Sequence, residues 1–249
     1  MLFELSCAPK SGGGYYSNST APNGIKKIFA LILVVSFLLI NKTFAQESPQ
    51  WIKNLPSAQN ANQLFVVAQV GEKTTAWISM HEKDEDGNWQ QILSTPGFIG
   101  KNGLGKTKEG DNKTPVGTFY FNKAFGIATN PGCRLPYIQV DENIYWSGDA
   151  NYKYNEMVNI KDFPALNKSD SEHLIDYNPH YIYCLNISYN ENGTAGKGSA
   201  IFLHCFGDIK PYTGGCFAIP EAKMLFVMHN VEPNCVVVID SLKNLGGNI

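Results

Sequence analysis

From residue 63 onward the apolar positions fall in short runs punctuated by glycine, proline, asparagine and aspartate, the pattern of a chain built mainly from strands. Leu64–Val70 predicts one strand, ended by Gly71, and Thr74–Met80 a second. An Asp86-Gly87 turn before Trp89 continues them as a β-meander. Pro115 and Gly117 bracket the entry to Thr118–Phe121, and Tyr181–Ile187 alternates before a turn at Asn190–Gly193. Ser199–Phe206 is almost wholly apolar, as expected of a strand covered on both faces, and Val236–Ile239 closes the series. The clearest helical signal is Ala222–His229, with Pro220 and Glu221 suited to a first turn. Together these elements predict a mainly β fold, a β-sandwich with one or two peripheral helices.

The first 45 residues follow another pattern. Lys26 and Lys27 precede Ile28–Ile40, which is apolar at every position except Ser36, and Thr43-Phe44-Ala45 then offers small residues at two spaced positions. Basic, apolar and small-residue regions in that order read as a secretory signal over residues 1–45, with an unusual extension ahead of it. The apolar run is shorter than the roughly twenty residues a membrane span needs, so no stable span is expected after cleavage. Residues 46–62, polar and carrying Pro49 and Pro56, read as a linker to a domain over 63–241, with 242–249 as a tail.

Composition narrows the partners. Without Lys10, Lys26, Lys27, Lys42 and Glu4, sixteen basic and twenty-one acidic residues remain, a formal charge near −5 with no basic cluster. This argues against nucleic acid as a partner. Five cysteines remain beyond residue 45, so an exported chain keeps at least one free thiol, and the other four allow up to two disulfides. No CxxC pair or HExxH helix is present, which disfavours a metal site and a zinc peptidase.

The candidate chemistry lies around Ser199–Phe206 and the turn after it. Strand alternation places His204 on one face with Ala200 and Phe202, and Cys205 on the other with Ile201 and Leu203. Twelve residues past His204, Cys216 follows Thr213-Gly214-Gly215. A thiol gains nucleophilicity when a base or cation draws it toward thiolate, and His204 is the nearest source in sequence. The glycines permit close substrate approach, and the amides of Gly214, Gly215 and Cys216 are candidates for holding an oxyanion. Cys205 reads as a core or disulfide residue. His173, His180 and His229 read as isolated surface or capping groups. Tyr137, Tyr145–Asp149, Tyr152, Tyr154 and Asn155 form an aromatic, amide-rich set that either lines a groove for a peptide or sugar chain or packs in the core.

The turn Thr213-Gly214-Gly215-Cys216, preceded by Gly196–His204, resembles the signature of the L,D-transpeptidase (YkuD-type) family. The likeness extends to Gly100–Gly105, Lys108–Asp111, Lys113–Phe119 and Tyr154-Asn155, and covers roughly residues 63–241. It implies an exported cysteine acyltransferase of the cell wall, periplasmic or wall-associated, or membrane-anchored where the signal stays uncleaved, that needs no cofactor. Its donor would be a peptidoglycan stem peptide. Cys216 would attack at the L-centre of the third residue and expel D-alanine, with His204 as base then acid and an amide at Gly215 in the oxyanion site. Thr213, Gly214, Tyr154 and Asn155 would contact substrate, an acceptor amine would resolve the thioester, and a carbapenem would acylate the same thiol. Water as acceptor would make the enzyme an L,D-carboxypeptidase; a catalytically inactive wall-binding module is the other alternative. The chain departs from the family pattern in a shorter His-to-Cys spacing, in Gly214 where a second histidine is usual, and in Ala218 where many members carry arginine.

Overall fold

The structure is a computed structural model and describes residues 46–71, 74–207 and 210–248. The secretory signal expected over 1–45 lies outside the described residues. The strands are β1 (Gln46–Glu47), β2 (Gln63–Gln69), β3 (Thr75–Lys83), β4 (Trp89–Phe98), β5 (Gly117–Gly126), β6 (Tyr137–Gln139), β7 (Ile144–Trp146), β8 (Met157–Asn159), β9 (Glu172–His173), β10 (Cys184–Ile187), β11 (Phe202–Cys205), β12 (Phe217–Ile219) and β13 (Val236–Ser241). Among the described residues two short α-helices accompany them, α1 (Gln50–Lys53) and α2 (Glu221–Asn230).

Ten strands form one sheet in the order β1-β4-β12-β11-β10-β5-β13-β2-β3, with β6 beside β5. Because β3 also pairs with β4, the sheet closes on itself. The fold is mainly β, as predicted, and its two walls enclose the principal core. Alternation along each strand sorts side chains between that core and the outer surface. On β2, Phe65 and Val67 point inward, whereas Leu64 and Val66 join a separate outer cluster. A strand apolar on both faces needs cover on both, since each large apolar side chain left in water forfeits about 1.5–3 kcal/mol.

The cover for β2 is the segment expected to be a linker. Ile52, Leu55, Ala58 and Ala61 are buried against Leu64, Val66 and Val238, and β1 pairs with β4. Their three-residue spacing, carried by α1 and a 3-10 turn at Pro56–Gln59, puts four apolar groups on one side of an otherwise polar stretch. Residues 46–62 are therefore part of the domain. The expected tail also returns to it: Leu245 packs on the same cluster.

The outer face of β10 and β11 is covered differently. A three-stranded sheet, β8-β7-β9, lies over it, and Trp146, Tyr181, Phe125, Phe202, Cys184 and Cys216 form a third cluster between the layers. Trp146 stacks at 4.7 Å edge-to-face on Phe202, so this part of the aromatic set packs in the interior. The five cysteines among the described residues, Cys133, Cys184, Cys205, Cys216 and Cys235, are free thiols. Among the described residues, no helix is long and apolar enough to cross a membrane.

Candidate active site

The site forms where the small sheet leaves part of β11 and β12 uncovered. These two strands are parallel, with Leu203 opposite Phe217, His204 opposite Ala218 and Cys205 opposite Ile219. One step earlier, Cys216 stands beside Phe202, whose N–H donates to its Sγ at 3.3 Å. Parity then places Cys216 and His204 on one face as diagonal neighbours. Cys205 turns inward with Ile201 and Leu203, as the alternation predicts. Cys216 and His204 line a single open cavity of about 420 Å³.

β11 is shorter than the apolar run that announced it. Gly198 and Ala200 both adopt positive φ, at 114° and 55°, which ends the extended backbone before Phe202. Asn155 Oδ1 accepts the Ala200 N–H at 3.0 Å and holds this turn. The kink aims the Ala200 carbonyl at the thiol, which donates to it across 3.1 Å. The backbone departure from the strand is thus used to seat the sulfur.

The loop carrying Cys216 is fastened beneath. Thr213 Oγ1 accepts from the Gly215 N–H at 3.1 Å and donates to the Cys216 carbonyl at 2.6 Å. Buried Thr114 adds a hydrogen bond to the Gly215 carbonyl at 2.7 Å. Gly215 has φ 147°, and a Cβ there would lie 3.0 Å from the Lys113 carbonyl oxygen. Glycine is required by both conformation and space. Its N–H is engaged by Thr213 and that of Cys216 faces its own thiol, whereas that of Gly214 forms no hydrogen bond among the described residues. The amides left to an oxyanion are therefore that of Gly214 and, once the sulfur turns to its substrate, that of Cys216.

His204 donates from Nδ1 to the Cys205 carbonyl at 2.8 Å. A carbonyl only accepts, so Nδ1 carries the proton and Nε2 is left with its lone pair. Burial, together with the nearby His180, pushes the imidazole down to about 4, against the pull of the Cys205 carbonyl. Burial, and then the Glu172 carboxylate, push the Cys216 thiol up to about 12, opposed by the Phe202 N–H and Lys106. At neutral pH both groups are uncharged. The resting site is a neutral thiol and a neutral base, in contrast to the thiolate-leaning pair the sequence led us to expect.

The surroundings include residues that sequence reading left aside. Tyr181 packs edge-on to His204 with ring centroids 5.6 Å apart, and its hydroxyl donates to Glu172 Oε2 at 2.9 Å. His180, read as a bland histidine, lines the cavity and lies 5.7 Å from the His204 ring. Gly207 makes this approach possible, since a Cβ there would sit 1.8 Å from His180 Cε1. Lys106 is buried beside the loop, paired with Asp111 at 3.0 Å. Burial opposes the Asp111 charge, yet the amides of Thr107, Lys108 and Lys113 with Lys106 hold its carboxyl at about 2. None of these carries a local sequence signal; pairing and cover bring them together.

Of the expected substrate contacts, Thr213 and Gly214 line the cavity. Tyr154 and Asn155 stand behind it. Tyr154 donates to Glu109 and accepts the Gly198 N–H at 3.0 Å. Asn155 serves Ala200, Trp146 Nε1, and the carbonyls of Tyr189 and Asn190. Both brace the turn that aims the Ala200 carbonyl, and their polar groups are engaged within the protein. Among the described residues no group of three or more His, Cys, Asp or Glu is placed to hold a metal ion.

A closed β fold with a cysteine and a histidine opening onto one outer cleft defines an enzyme-like site. The sequence matches the L,D-transpeptidase catalytic domain (YkuD) over residues 64–239, and the chain belongs to that family. None of the curated proteins matches the chain. Among solved structures, it is similar to the Ldtfm–avibactam carbamoyl enzyme at 16% identity and a TM-score of 0.33, over 73% of this chain and 49% of that one. It is also similar to an L,D-transpeptidase (Yku) from Stackebrandtia nassauensis at 13% identity and a TM-score of 0.33, over 81% of this chain and 62% of that one. The chain thus spans about half of the first and under two thirds of the second.

Proposed function

We propose that this chain is an exported peptidoglycan L,D-transpeptidase that works through a thioester on Cys216. One observation carries the reading. The Cys216 thiol and the His204 imidazole open onto the same cavity, and His204 has its Nδ1 committed to the Cys205 carbonyl, leaving Nε2 as the base.

The neutral resting pair determines how the first step runs. The thiol proton points at the Ala200 carbonyl, so a turn of the Cys216 side chain is needed to bring it to His204. Substrate entry supplies the occasion, and proton transfer to Nε2 accompanies attack on the carbonyl carbon at the L-centre. The S–C bond forms, and the developing oxyanion meets the amides of Gly214 and Cys216. His204 then returns the proton to the nitrogen of the departing D-alanine as the C–N bond breaks. An acceptor amine resolves the thioester and regenerates the thiol. Thr213 and Gly214 flank the acyl group, while Tyr154 and Asn155 act from behind through Gly198 and Ala200.

The test is incubation of the purified protein with a defined tetrapeptide stem, with and without an acceptor amine. Release of D-alanine, a thioester on the peptide carrying Cys216 and a cross-linked product are expected. Release of D-alanine with only hydrolysed tripeptide, even at high acceptor, assigns carboxypeptidase activity instead. Absence of both thioester and release overturns the enzymatic reading.

A further inference from the structure

The resolving step poses a problem that Cys216 and His204 do not solve. An alkylamine acceptor has a pKa near that of lysine, roughly 10, and reaches the site as an ammonium. To become an amide nitrogen it must lose two protons, one before attack and one after. His204 takes only one, and returns it to the sulfur. Water as acceptor needs only one proton removed, so the shortage is specific to amines.

A second carboxylate-bearing wall stands beside the thiol. Glu172, on β9, faces the Cys216 cavity together with Ala200 and Ser199. The same three residues line an adjoining cavity of about 330 Å³, to which Glu109 and Asp170 also contribute. Glu172 therefore stands where the two cavities join. Its Oε2 is fixed by the Tyr181 hydroxyl at 2.9 Å, and Tyr181 in turn packs on His204. No other hydrogen bond to this carboxylate forms among the described residues, which leaves Oε1 for a ligand.

We infer that Glu172 is the base that deprotonates the acceptor ammonium, and that the adjoining cavity is the acceptor's route to the thioester. This rests on the transpeptidase reading above. The acceptor R–NH₃⁺ gives one proton to the Glu172 carboxylate, and the freed nitrogen lone pair attacks the thioester carbon. The N–C bond forms, and the tetrahedral nitrogen passes its second proton to His204 Nε2. The C–S bond breaks, and sulfur takes that proton from the imidazolium. Amide, neutral thiol and neutral imidazole result, and Glu172 leaves the cycle as a carboxylic acid that releases its proton to water. Burial and the nearby Glu109 push the Glu172 carboxyl up to about 7, with the Tyr181 hydroxyl opposing, which suits a group that must both take and release a proton near neutrality.

Partitioning between two acceptors tests this, because a ratio of products does not depend on how much of a variant is folded. The purified protein is charged with the tetrapeptide stem near neutral pH. It is then offered equal concentrations of an alkylamine stem acceptor, which arrives as the ammonium, and hydroxylamine, which arrives neutral. Products are counted by mass spectrometry. In E172Q the Tyr181 hydrogen bond keeps an acceptor oxygen, and the alkylamine-to-hydroxylamine ratio is expected to fall about 10- to 100-fold, the lower range of general-base effects. E172D should recover part of it. A wild-type ratio in E172Q overturns the role of Glu172 while leaving the thioester mechanism in place. A wild type that forms no thioester overturns the transpeptidase reading, and this inference with it.

Discussion

Two buried histidines stand on the outer face of the closed sheet, each beneath a different cover. His81 on β3 lies under the 46–62 segment, and His204 on β11 borders the small sheet. Burial pushes both down to about 4. Their hydrogen bonds separate them. His81 meets Ser48 Oγ through Nδ1 and Ser79 Oγ through Nε2, each at 2.8 Å. Among the described residues His204 has a hydrogen-bond partner only on Nδ1, and the ring lines the cavity with Cys216. Burial and a lowered pKa alone therefore do not single out a site; what sets the proposed one apart is an uncommitted nitrogen on a cavity shared with a thiol.

The largest effect that sharpens the contrast comes from the sulfur. Cys216→Ser is expected to abolish turnover of the stem peptide and uptake of a carbapenem while leaving the unfolding midpoint near wild type. A hydroxyl facing a neutral imidazole is a far poorer nucleophile than the thiol. Intact-mass measurement after drug exposure checks it, and an adduct on the serine variant would place the reactive group elsewhere. Cys205, which points into the principal core, should show the opposite profile when changed to serine: lower stability and retained adduct formation.

Removing each histidine separates the two regions next. His204→Ala should lower the single-turnover acylation rate by roughly 10²–10⁴-fold. His81→Ala should leave activity per folded molecule within about twofold and cost about 2–4 kcal/mol of stability, through a cavity and two unpaired serine hydroxyls. Denaturant titration and stopped-flow acylation on both variants decide the matter. If His81→Ala slows acylation as much as His204→Ala, the distinction drawn from their hydrogen bonds is void.

The two regions also differ in how much the sequence disclosed. Around the cleft, strand parity placed Cys205 inward, and the glycine turn before Cys216 marked the loop, because alternation and glycine conformations are local properties. His180, Glu172 and Lys106 arrive from distant segments and were not legible, since only sheet pairing brings them to the thiol. The same holds for charge: His204 beside Cys216 reads as an activating pair, but burial, which no local pattern reports, keeps both neutral. At His81 the missed feature was the cover itself. Its polar composition hid the three-residue spacing of Ile52, Leu55, Ala58 and Ala61. The unbroken apolar run of β2 was the available clue, because a strand apolar on both faces implies something on each.

The smallest effect is a change of slope, and it isolates His81. A histidine held at about 4 when folded and at 6.5 when unfolded binds fewer protons in the native state. Its contribution to stability is complete above 6.5 and is lost as pH falls through the window down to about 4. Each unit of difference is worth about 1.4 kcal/mol, so the contribution at stake by pH 4.5 is on the order of 2–3 kcal/mol. His204 adds a loss of the same sign. Glu172, raised to about 7, acts in the other direction and favours the folded state as pH falls through that range. Wild type alone would therefore show only the balance. In His81→Gln the His204 and Glu172 contributions persist, and glutamine bonds the serines without titrating. The variant should be less stable than wild type at pH 7.5, and the gap should close by about 2 kcal/mol by pH 4.5. Urea midpoints at the two pH values measure the gap. A gap that stays constant would mean that His81 takes up its proton equally well folded and unfolded, and that its serine partners do not hold it neutral.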